Sequence, residues 1–125
     1  MAIRYFTLEE ASALLPELSA LMGDLQERRA KVAQARRELT PLLEDRYSNV
    51  GSALASSIAR EFIAIDRLIG AIRAYGCELK DINSGLIDFL SQRAGRDVYL
   101  CWRYGEPDIQ YFHELHTGFM GRQRL

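Results

Sequence analysis

Five side chains capable of ligand or acid–base chemistry stand close together late in the chain: Asp88, Cys101, Arg103, Glu106 and His113. Asp88, Glu106 and His113 combine two carboxylates with an imidazole, a donor set that suits a divalent metal ion. Arg103, together with Arg122 nearer the C-terminus, offers guanidinium forks for a carboxylate or phosphate. Cys101 is a candidate thiol, with Arg103 two positions along to favour the thiolate and His113 as its base. Each has a plainer alternative. Arg103 can pair with Asp88 or Glu106 within a sheet, His113 can be a core histidine with one hydrogen bond, and Cys101 can be a small packed hydrophobe.

Strand geometry sharpens the choice. In Val98-Tyr99-Leu100-Cys101-Trp102-Arg103, alternation puts Tyr99, Cys101 and Arg103 on one face and Val98, Leu100 and Trp102 on the other. An even-length connection to the next strand pairs Val98 with His113 and places the imidazole on the apolar face. An odd-length one brings His113 beside Cys101 and Arg103. One residue of register separates the two outcomes, and the sequence leaves both open.

Three other motifs carry less. His113-Glu114-Leu115-His116 resembles a zinc-protease signature, but such helices need histidines at i and i+4, one full turn apart. Gly118-Phe119-Met120-Gly121-Arg122 is read either as an anion-holding loop or as a Phe119 plug that pins the C-terminus; it is not a phosphate-loop pattern. The basic run Gln26 to Lys31, continued by Arg36-Arg37, is interleaved with Glu27 and Glu38 and has no aromatic residue to stack on bases. A solvated helix face or interhelical ion pairs is the expected use, and nucleic acid is not an expected partner.

These residues must be positioned by the rest of the chain, which changes period once. Thr7-Leu8-Glu9-Glu10 has the form of a capping box, predicting a short helix over 8–14. Pro16 then opens a long helix whose seam runs Leu15, Leu18, Met22, Leu25, Arg29, Val32, Arg36, Leu39, with Pro41 as its end or a kink. The two arginines on that seam are candidates for setting register or partner choice. Glu44 to Gly51 is the expected connection. A second helix, from about Ser52 to Tyr75, carries Ile58, Phe62, Ile65, Ile69 and Ile72, and Gly76 ends it. Short strands and turns follow: 77–80, 86–90, 97–103 and 108–115. The predicted fold is α+β. A long antiparallel helical hairpin with a short N-terminal helix (7–75) stands beside a small antiparallel β-meander of three or four strands with a C-terminal tail (76–125). Both belong to a single domain, 1–125.

Composition bounds the function. With 125 residues, 48% hydrophobic and 26% charged, the chain can hold a core without disulfides or metals. A net charge of -1 supplies no general attraction to nucleic acid or anionic lipid. No apolar run reaches membrane-span length, and the opening MAIRYFTLEE lacks the apolar core of a signal peptide. The two cysteines match no zinc-finger or redox spacing, so reduced thiols and a cytoplasmic location are expected.

The order Gly76-x-Glu78-x-Lys80-Asp81, Gly85-Leu86-x-Asp88-Phe89, Val98-Tyr99-Leu100-Cys101-Trp102-Arg103-x-Gly105-Glu106, an aromatic pair before His113, and Gly118-Phe119-x-Gly121-Arg122 resembles a bacterial family catalogued as a domain of unknown function. Tyr5 to Ala11 and Leu14-Leu15-Pro16 resemble the opening of that family. His116 departs from it, standing where an acidic residue is common. The resemblance implies no activity. Two expectations follow from the residues themselves. One is a non-catalytic interaction or regulatory protein that forms a homodimer through its helical seams. The other is a metal- or anion-binding protein, with hydrolysis as its candidate activity, its site on the meander and a divalent metal as the cofactor to test.

Overall fold

The computed structural model describes residues 3–43 and 50–125. Helix α1 spans Leu8–Ala13. Its capping box is formed: the Glu10 amide donates to Thr7 Oγ1 and the Thr7 amide donates to Glu10 Oε1. Helix α2 spans Leu15–Leu43 and runs through Pro41 rather than ending there. Pro41 has no amide N–H to donate back to the Arg37 carbonyl, so α2 continues with one backbone hydrogen bond fewer. Helix α3 spans Val50–Ala74. The connection expected over Glu44 to Gly51 falls on residues 44–49, outside the described residues, while Val50 and Gly51 already belong to α3. Gly76, at φ 90°, takes the left-handed conformation that closes α3.

The meander has five strands, not three or four: β1 (Glu78–Asp81), β2 (Leu86–Arg93), β3 (Arg96–Arg103), β4 (Tyr111–Glu114) and β5 (Gln123–Arg124). They lie in sequence order and every neighbouring pair is antiparallel. The two-residue turn Ala94–Gly95 has both residues at positive φ, the geometry whose twist matches a hairpin. The N-terminal segment lies alongside β2: the Phe6 amide donates to Leu90 O, and Ser91 Oγ donates to Phe6 O.

One face of the sheet meets the helices. Ile87, Phe89, Val98, Leu100, Trp102 and Phe112 share a core with Leu18, Met22, Leu25 and Ile72. Arg28 ties α2 to α3 through Glu61 at 3.0 Å. The seams are buried where the sheet backs them and open beyond it. Arg29 and Arg36 are exposed, and Phe62 is 41% exposed. No helix among the described residues is long and apolar enough to cross a membrane.

Candidate functional site

The site lies on the sheet face turned away from the helices. Register puts Asp88 of β2 opposite Cys101 of β3, and Tyr99 of β3 opposite His113 of β4. The odd connection is therefore the one formed, and His113 joins Cys101 rather than the apolar face. Asp88, Cys101 and His113 are each no more than 1% exposed. Their ligand atoms all lie within 4.8 Å of one another.

The hydrogen bonds define the protonation pattern. His113 Nδ1 is 2.7 Å from Glu114 O, and a carbonyl can only accept, so Nδ1 carries a proton. His113 Nε2 is 2.9 Å from Asp88 Oδ2. One further proton lies between those two atoms, and the pair is neutral as a whole whichever of them holds it. Asp88 Oδ1 is buried with no hydrogen-bond partner, an uncommon state for a carboxylate oxygen. Burial pushes the Asp88 carboxyl up, against the pull of the neighbouring His113, Cys101 and Lys80. Burial, with the Asp88 charge beside it, pushes the Cys101 thiol up to about 12. Cys101 is thus a protonated thiol at neutral pH rather than a ready nucleophile, and the imidazole nitrogen that could serve it is turned to Asp88.

The remaining candidates are engaged elsewhere. Glu106 does not join Asp88 and His113. Its carboxylate accepts from Arg122 Nη2 at 2.7 and 2.9 Å and from the Arg103 amide at 2.6 Å, which fastens the turn after β3. Arg122 is stacked over Tyr111, its guanidinium carbon 4.0 Å from the ring centre, and lies against Phe119. Its Nη2 also reaches Cys101 O at 3.4 Å, so the C-terminal tail folds over this face. Arg103 is exposed, with its guanidinium carbon 5.8 Å from the centre of the Phe119 ring. Arg103 and Arg122 thus both lie against the Phe119 ring, with Arg122 already committed to Glu106. His116 is exposed beyond β4 and apart from the cluster.

Two participants escaped the sequence reading. The Glu114 carbonyl that orients His113 is main chain, which side-chain spacing does not disclose. Glu78, cross-strand from Asp88 and ion-paired with Lys80 at 2.7 Å, borders the cluster. The pairing of Asp88 with Cys101 did have a signal: it is the sixth pair out from the two-residue Ala94–Gly95 turn.

No curated protein and no solved structure shows a match to the chain. Residues 4–125 match the family described as "Uncharacterized conserved protein (DUF2203)", and the chain belongs to that family.

Proposed function

We propose that this protein binds a transition-metal ion of the zinc class through Asp88, Cys101 and His113. The observation that carries the reading is the convergence of an oxygen, a sulfur and a nitrogen donor within 4.8 Å, in a cluster that leaves Asp88 Oδ1 without a partner. A metal-binding histidine commonly donates its second N–H to a carbonyl, as His113 Nδ1 does to Glu114 O, which leaves Nε2 as the ligand atom. Thiolate and imidazole donors select zinc, cobalt, nickel or copper over magnesium or calcium. Binding displaces the Cys101 proton and the proton shared by Asp88 and His113.

Three protein ligands leave a fourth position for water or for Glu78 across the strand. Because the donors are almost wholly buried, the ion serves to order the meander and its tail rather than to turn over substrate. Cobalt titration of untagged protein tests this. The expected result is a thiolate-to-cobalt absorption band that Cys101→Ser removes, with zinc raising the melting temperature. Saturation at about 100 times Kd adds about 2.7 kcal/mol to stability. No band, and no thermal shift with zinc, cobalt, nickel or copper, would sink the proposal.

A second reading is self-association through the helices. The neighbouring apolar residues Phe62 and Ile63 of α3, 41% and 54% exposed, support it. It places the protein as a small homodimer whose helices assemble while its meander holds the ion.

A further inference from the structure

The helical hairpin outruns the sheet. At 1.5 Å per residue the 29 residues of α2 reach about 43 Å, whereas an eight-residue strand reaches about 27 Å. Where the hairpin passes the outer edge of β1, a groove of about 490 Å³ opens between α2, α3 and that strand. Its floor includes Phe62, Ile65, Ile69 and Leu79, and its rim carries Arg29, Arg36 and Arg73.

The charges in this groove are unbalanced. Among the described residues no carboxylate forms an ion pair with Arg29, Arg36 or Arg73. Arg29 donates to the neutral Asn83 Oδ1 at 2.6 Å. Arg36 lies over the Phe62 ring, 5.2 Å from its centre. The Asp81 carboxylate on the β1 side accepts from the Ser84 amide and hydroxyl and also feels the Arg29 charge, and Lys80 is paired with Glu78. On the same helices Arg28 bridges Asp24 and Glu61 and Lys31 faces Glu27, whereas the three groove arginines converge on one apolar floor. Three arginines against the single carboxylate of Asp81 leave an excess of positive charge around an apolar floor, which complements a ligand with an apolar body and an anionic head, and the volume lies in the range of small-molecule sites.

We propose that this groove binds an amphipathic organic anion, its apolar body against Phe62, Ile65, Ile69 and Leu79 and its carboxylate or phosphate head on Arg29, Arg36 and Arg73. The site is separate from the metal cluster, on the opposite side of the sheet, and does not depend on it.

Fluorescence titration with anilinonaphthalene sulfonate tests the proposal directly. Wild type and Arg37→Gln should bind the probe saturably; Arg37 is exposed on α2, hydrogen-bonded to Gln34 and outside the groove. The Arg29→Gln/Arg36→Gln double variant should bind about tenfold more weakly, a ratio equivalent to one lost charge-assisted contact. Decanoate and decyl phosphate compete with the probe, and whichever competes better identifies the head group; decanol competes poorly. Added salt weakens probe binding to the wild type, a readout that needs no variant. Equal affinity in the wild type and the double variant overturns the proposal, as does equal competition by decanol. Competition by an acidic peptide where both amphiphiles fail would assign the groove to a protein partner instead.

Discussion

At the scale of single residues, the Asp88–His113 contact makes opposite demands with and without a metal. Without one, the shared proton joins two side chains that are each 2% exposed. Removing the imidazole strips a buried carboxyl of its hydrogen bond at Oδ2 and leaves only the weak thiol of Cys101 beside it. His113→Ala is therefore expected to cost about 3–5 kcal/mol of stability, read as a lower urea midpoint. Asp88→Asn is different, because the amide can donate to His113 Nε2 in place of the shared proton. It should cost about 1 kcal/mol or less while weakening metal binding, since a neutral amide is a poor ligand for a zinc-class ion. Equal destabilisation by the two substitutions would show that the carboxylate charge itself holds the sheet, and would count against the metal reading. Much of this cluster could be read in the sequence. Asp88 and His113 stand out by residue type, and the Ala94–Gly95 turn sets Asp88 against Cys101 by counting. The grouping of Glu106 with them could not be tested that way. Whether a long side chain at a turn faces the sheet or folds onto its own backbone depends on contacts such as that with the Arg103 amide.

At the scale of elements, the change of period near Gly76 was the dependable signal, because seams that repeat over many turns average out local exceptions. Single residues carry less, as at Pro41, where the alternative of a helix end did not hold because α2 runs on through it. β5 left no pattern at all: two residues cannot show alternation, and they pair with Tyr111 and Phe112 because the tail returns along β4. The β1–β2 turn is held by a tighter constraint. Gly85 has φ 73°, its amide donates to Ile82 O, and its carbonyl accepts from the Tyr104 amide. A Cβ there would run into Tyr104 Cβ, with Met22 of α2 close behind. Gly85→Ala combines left-handed strain with overpacking, and a loss of about 2–4 kcal/mol in urea unfolding is expected. A variant within about 0.5 kcal/mol of wild type would mean that the turn can re-form without its contact to α2.

At the scale of the molecule, three surfaces are distinguished: the sheet face carrying Asp88, Cys101 and His113, the cationic groove, and the outer side of α3, which meets the groove at Phe62. The proposed self-association would use the last. Ile63 is 54% exposed and does not line the groove, whereas Phe62, its neighbour, does. The net charge of -1 offers little repulsion between copies. Light scattering should give the wild type a dimer mass, and Ile63→Glu, which puts a charge into an apolar contact, should give a monomer. Because Ile63 lies outside both other sites, the same variant should keep one metal per chain and bind the amphiphilic probe as before. Loss of probe binding together with the dimer would show that the groove is completed by a second copy. A wild type that stays monomeric across a wide concentration range removes self-association and leaves the metal and groove proposals standing on their own tests.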